Sequence, residues 1–279
     1  EIMLKIVVGL VGIVVAAVSF SVSAQGYPSK PVRLIVPYAP GGGTDVLARM
    51  IAQRLTEALN ESIVVDNRAG VDGIVGAEIM ARAAPDGYTL LIISSSHAIN
   101  VALGKKLPYD TIKDFAPITQ TANQQLLLVV HPSMPVKTVK EFLEYVKARP
   151  GKLDYGSSSN ATALPMELFK SMTSTDIQHI PYKGSGPMMN DLLGGHVQMS
   201  MSGAVSAVPH VKAGRLRAIA IGDAKRSSFL PDVPTVAEGG VPGYQAVIWT
   251  GMFAPAKTPR AIIDRLNKEV VRILHVPDF

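Results

Sequence analysis

The strongest constraint on the fold is an alternation of short apolar runs with amphipathic segments, and its first turn is unusually rich in glycine. Residues 32–37 read VRLIVP, apolar enough for a strand buried on both faces. The loop Pro40-Gly41-Gly42-Gly43-Thr44-Asp45 follows. Over residues 44–59, Leu47, Met50, Ile51, Leu55 and Ala58 recur at three- and four-residue spacing, which is one face of a helix. Thr44 is the expected N-cap, with Asp45 in the first turn. A strand at 63–65, a helix at 76–84 and a strand at 88–93 complete a β-α-β-α-β order.

The alternation then repeats. Strands are expected at 126–130, 153–155, 177–181, 197–201 and 216–221, and helices at 139–148, 162–172, 187–193 and 205–212. Residues 246–254 read as extended and 258–274 as a final amphipathic helix. A chain of 279 residues is too long for one minimal core. The expected fold is therefore two α/β domains joined by two extended crossovers, near 123–130 and 217–223. The first lobe would hold residues 25–122 plus 224–279, and the second 123–223.

Composition removes several functions. There is no cysteine, which excludes disulfides, thiolate catalysis and zinc ribbons. The net charge of +5 comes from dispersed Lys and Arg, without the basic tracts and interleaved aromatics that nucleic acid requires. The six histidines form no H-E-x-x-H and no close pair, so neither a metal nor another cofactor is expected. Near the start, Met3 and Lys5 precede an apolar run at 6–18 and small residues up to Ala24. That pattern is a secretory signal peptide spanning 1–24, cleaved after Ala24, and the run is too short for a membrane span.

Chemistry is expected where parallel strands end and helices begin, because unpaired backbone N–H groups point outward there. The glycine loop occupies such a place, but it is neither a Walker A motif nor G-x-G-x-x-G, which points away from nucleotides and toward a small carboxylate. A second candidate is Tyr155-Gly156-Ser157-Ser158-Ser159-Asn160-Ala161-Thr162, dense in hydroxyl and amide groups. It misses the last glycine of G-x-S-x-G, which weakens the alternative of a secreted serine hydrolase using Ser157, Ser158 or Ser159.

Four stretches together resemble the periplasmic solute-binding proteins of tripartite tricarboxylate transporters, the Bug family. They are VRLIVPYAPGGGTDVLAR, LPYDTIKDFAPIT, PYKGSGPMMNDLLGGHV and AKRSSFLPDVPTVAEGGVPGY, and the similarity runs through the whole mature chain. The resemblance implies a two-lobed periplasmic-binding-protein fold of type II-like architecture, with a ligand cleft between the lobes. It also implies a monomeric periplasmic receptor without enzymatic activity that closes on a carboxylate and meets membrane transporter components. Carried over residue by residue, the family's site falls on Tyr38, Gly42, Gly43, Thr44, Asp45, Ser95, Ser96 and His97 in the first lobe. In the second it falls on Ser157, Ser158, Asn160, Thr162, Tyr182 and Gly184. Asp45 is read as bracing its helix or orienting a water, since a carboxylate beside an anion repels it. An orphan sensory receptor with the same fold is the remaining alternative.

The sequence departs from the family pattern at three places. The second-lobe loop carries Ser159 and Ala161 where glycines are expected, is about two residues shorter, and lacks a histidine before Leu164-Pro165-Met166. The loop Asn67-Arg68-Ala69-Gly70-Val71-Asp72-Gly73 adds an acid to N-R-P-G-A-G-G. Gln198 and Ser202 stand where acids are common. Family members also usually continue beyond the position of Phe279, so a C-terminal piece is expected to be missing.

Overall fold

The computed structural model describes residues 26–277, and the expected leader at 1–24 lies outside them. Among the described residues the strands are β1 (Val32–Val36), β2 (Ile63–Asn67), β3 (Thr89–Ser94), β4 (Phe115–Val130), β5 (Asp154–Ser157), β6 (Gln178–Pro181), β7 (Met199–Gly203), β8 (Arg217–Ile221) and β9 (Val247–Pro255). The helices are α1 (Gly43–Leu59), α2 (Ile74–Ala81), α3 (Ser96–Ala102), α4 (Val139–Lys147), α5 (Asn160–Thr173), α6 (Ser185–Leu193), α7 (Ala204–Lys212) and α8 (Arg260–Leu274).

The strands follow the order β2-β1-β3-β9-β4-β7-β5-β6, with β8 also paired to β4. In the first half β1 runs parallel to β2 and β3, and in the second β5 runs parallel to β6 and β7. These are the buried apolar runs seen in the sequence. The long strand β4 joins the halves. Its residues Phe115 to Gln125 pair antiparallel with β9, and from Leu126 onward it pairs with β7 and β8.

Each half has its own core. Leu34, Ile35, Leu91 and Ile92 pack with Ile51 and Leu55 of α1 and Leu266 and Val270 of α8 in the first. In the second, β4 alternates between two clusters, as the two-residue period of a strand requires. Leu126, Leu128 and Val130 pack against Phe142 and Phe169, while Leu127 and Val129 face Met188 and Leu192 on the other side. A sheet covered on both faces explains why this stretch is continuously apolar.

Several expectations need correction. The second crossover does not fall at 217–223, because β8 stays in the second half, paired along β4. Gly222 N–H donates to Leu126 O, Ala246 N–H donates to Gly222 O, and β9 then returns the chain from Val247. Residues 224–246 consequently pack on the second core through Val236, Val241 and Tyr244, whose hydroxyl donates to Pro165 O at 2.9 Å. That packing departs from the expected assignment of 224–279 to the first lobe. Thr44 is not the N-cap of α1. The helix starts at Gly43, capped by Gly42, so Thr44 lies inside its first turn.

Candidate functional site

Four helices begin at one cavity. Gly42 caps α1, Ser159 caps α5, Gly184 caps α6 and Gly203 caps α7. All four caps line a cleft of about 40 Å³ between the halves, room for a few waters. The first N–H groups of a helix have no partner within it, and aligned peptide dipoles make that end positive. Three of these caps are glycines with no side chain to offer those groups.

The remaining wall is uncharged and rich in hydroxyls. Tyr38, Thr44 and Ser94 contribute hydroxyls from the first half, and Ser158, Thr162, Ser185 and Ser206 from the second, with Gln124 and Ile248 at the crossovers. Tyr38 and Ser94 share a 2.6 Å hydrogen bond, and burial raises the Tyr38 phenol, so it stays a neutral donor. Thr162 Oγ1 accepts from the backbone N–H of Ser158 at 2.9 Å and of Ser159 at 3.2 Å, which fixes the second-half loop. Gln124 Nε2 donates to Thr250 Oγ1 at 3.2 Å. The halves touch closely beside this wall. Gly184 has φ +131°, and a Cβ there would sit 2.9 Å from Ala39 N across the cleft, so glycine is required on both counts.

Of the residues expected at the site, Tyr38, Gly42, Gly43, Thr44, Ser158, Thr162 and Gly184 line this cavity. The others lie elsewhere, for visible reasons. Asp45 is buried behind the glycine loop, where its carboxylate accepts from Gly41 N–H, Arg49 Nε and Asn67 Nδ2. Burial works to raise its pKa, but these bonds, led by Arg49, outweigh it and hold the carboxyl below its ordinary value. Asp45 is thus a brace for the loop. Ser95 caps α3 and its N–H donates to Trp249 O, while Ser96 is buried against Ser94.

His97 points away from the cleft into an aromatic cluster, with ring centroids 4.4 Å from Phe115, 5.5 Å from Phe253 and 5.9 Å from Tyr109. Ser157 Oγ meets His179 Nε2 at 2.7 Å, but this serine is only 2% exposed, which leaves no approach for a substrate carbonyl. Tyr182 directs its hydroxyl to Asp191 at 2.7 Å; burial and then Asp191 push its phenol up to about 12. Asn160 is the first residue of α5, and its groups bond across the cleft to Asp72 and Asn100.

Ser94, Gln124, Ser159, Ser185, Gly203, Ser206 and Ile248 also form the wall, beyond the residues that the family resemblance implies. The one signal for Ser185 was its place inside the Gly184-Ser185-Gly186 motif; Gln124 and Ile248 gave none, since crossovers carry no motif. Among the described residues, no three His, Asp or Glu side chains stand together as a metal site would need.

The sequence model of the tripartite tricarboxylate transporter family receptor matches residues 47–279. The chain belongs to that receptor family. Its relatives include protein BugT of Bordetella pertussis, 39% identical over 92% of this chain and 80% of BugT. Among solved structures, an R. palustris protein with adipate is 38% identical and superposes with a TM-score of 0.86, covering 90% of this chain and 85% of that one. MatC from Rhodopseudomonas palustris, with bound malate, is 34% identical with a TM-score of 0.85, covering 90% and 87%. The receptor therefore has the two-lobed α/β fold of periplasmic binding proteins, and its cavity lies between the lobes.

Proposed function

We propose that this receptor closes its two lobes on one small carboxylate outside the cytoplasm and, in the closed form, hands it to the membrane components of a tripartite tricarboxylate transporter. The observation that carries this reading is the meeting of four helix N-termini at a cavity whose wall has hydroxyls and no charge. Such a wall attracts an anion through fixed dipoles. Hydrogen bonds to a charged group contribute about 1.5 to 3 kcal/mol each, so a handful supports micromolar binding, about −8 kcal/mol. The adipate and malate in two relatives agree with a carboxylate. The lobes we infer are 26–125 with 247–277, and 126–246, hinged where β4 passes from β9 to β7. Export by a leader cleaved after Ala24, action as a monomer, and transport without catalysis complete the proposal.

Thermal unfolding against a panel of mono- and dicarboxylates tests it. A ligand at one hundred times its Kd adds about 2.7 kcal/mol to stability, which in a chain of this size raises Tm by roughly 5 °C or more. We expect at least one small acid to produce that shift. A flat response to every acid at millimolar concentration would refute the reading.

A further inference from the structure

The acid that distinguishes the loop 67–73 reaches across the cleft. Asp72 belongs to the first lobe and adopts a left-handed conformation, φ 54° and ψ 35°. Its Oδ1 accepts from the backbone N–H of Asn160, the first residue of α5 in the second lobe, at 2.9 Å. Its Oδ2 pairs with Lys105. Asn100 completes the bridge, donating to Asp72 O at 3.2 Å while its Oδ1 accepts from Asn160 Nδ2 at 2.8 Å. Both ends adjoin the cavity. Ser159, which precedes Asn160, lines it, and a Cβ on Gly73 would lie 3.4 Å from the hydroxyl of Tyr38, another wall residue.

We propose that Asp72 sets the charge of the ligand, restricting the receptor to monocarboxylates whose remaining atoms are uncharged. This rests on the carboxylate reading above and narrows it. A diacid needs two groups of donors, and at α5 the leading N–H is already satisfied by a carboxylate that belongs to the protein. Lys105 is held by the same carboxylate, and no lining residue of the cavity carries a positive charge. A second ligand carboxylate near α5 would meet the Asp72 oxygens, with Lys105 already engaged and no positive charge on the cavity wall, whereas an uncharged tail meets no such opposition.

The test is calorimetric titration of the native protein and Asp72→Asn with matched pairs: butyrate and succinate, hexanoate and adipate, benzoate and terephthalate. Asparagine is close in size and tolerates the left-handed conformation, so the turn is retained. The native protein should prefer a monoacid to its matched diacid by about tenfold or more, and Asp72→Asn, which keeps an acceptor for the Asn160 N–H but removes the negative charge and frees Lys105, should shift that ratio toward the diacid by a similar factor. Lys105→Met, which leaves Asp72 without its partner, should shift it the other way. A native preference for the diacid, or a ratio that moves less than about twofold in Asp72→Asn, would overturn the assignment of Asp72 alone while leaving carboxylate binding in place. If no acid binds any of the three proteins, this proposal and the carboxylate reading fall together.

Discussion

Gly186→Ala should weaken carboxylate binding by roughly ten- to a hundredfold, because an added methyl prevents the lobes from meeting. A Cβ on Gly186 would lie 2.7 Å from the carbonyl oxygen of Pro40 on the opposite lobe. That distance is well inside van der Waals contact, and the obstacle is backbone, which cannot rotate away as a flexible side chain would. Relief requires separating the lobes, so the hydroxyls and N–H groups of the two sides no longer reach one anion together. Overpacking of this kind typically costs about 1 to 3 kcal/mol. The ligand-free protein should keep its stability to within about 1 kcal/mol, since alanine's better helix propensity and the restriction imposed by the following Pro187 oppose each other. Titration calorimetry reads the affinity, and small-angle scattering reads the shape. The radius of gyration of the variant should remain at its ligand-free value at an acid concentration that compacts the native protein. Undiminished affinity would show that closure through this contact is not part of binding.

Acidification should destabilise the native protein by about 3 kcal/mol between pH 7 and pH 4 through His97 alone. Burial among Tyr109, Phe115 and Phe253 lowers its imidazole to about 4 from an ordinary 6.5, outweighing a weaker opposing contact with the Thr111 backbone. The folded state thus holds a neutral ring, while the unfolded chain protonates it near 6.5. Stability from this residue is fully present above that pH and is lost as the pH falls through 6.5 toward 4. Urea unfolding at pH 7, 5 and 4 measures the loss. His97→Phe, which retains an aromatic ring in the cluster and removes the proton, should lose about 3 kcal/mol less over the same interval. Equal pH dependence in both proteins would assign the acid sensitivity elsewhere.

The alternation of elements was legible because both lobes bury apolar runs on two faces, and such runs stand out in any sequence. The start of β4 was not. Its residues Phe115 to Gln125 bury only part of the surface and include Gln120, Asn123, Gln124 and Gln125, so the apolar signal began at Leu126. Helix α3, Ser96–Ala102, is too short to show a period. The return crossover was misplaced for a related reason: residues 224–246 carry no regular pattern, and only packing shows that Val236, Val241 and Tyr244 cover the second core.

At the site, both loops were legible from their position between strand and helix, but the direction of individual side chains was not. Ser94 and Ser95 are neighbours of the same chemistry, yet Ser94 faces the cavity and Ser95 does not, a difference set by where β3 ends. His97 follows the same logic, since one turn of α3 carries it into the aromatic core. The extra acid at Asp72 was plain in the sequence, while its partner on α5 lies 88 residues away and belongs to the other lobe.

In the proposed receptor the cleft recognises the negative charge of a carboxylate with helix N-termini and hydroxyls, without a cation. Calorimetric titration at pH 7 with the tightest acid of the panel and with its primary amide tests this most directly. The acid should bind with micromolar affinity and the amide about a hundredfold or more weaker, the difference between several charge-assisted and neutral hydrogen bonds. An amide that binds as tightly as its acid would contradict it.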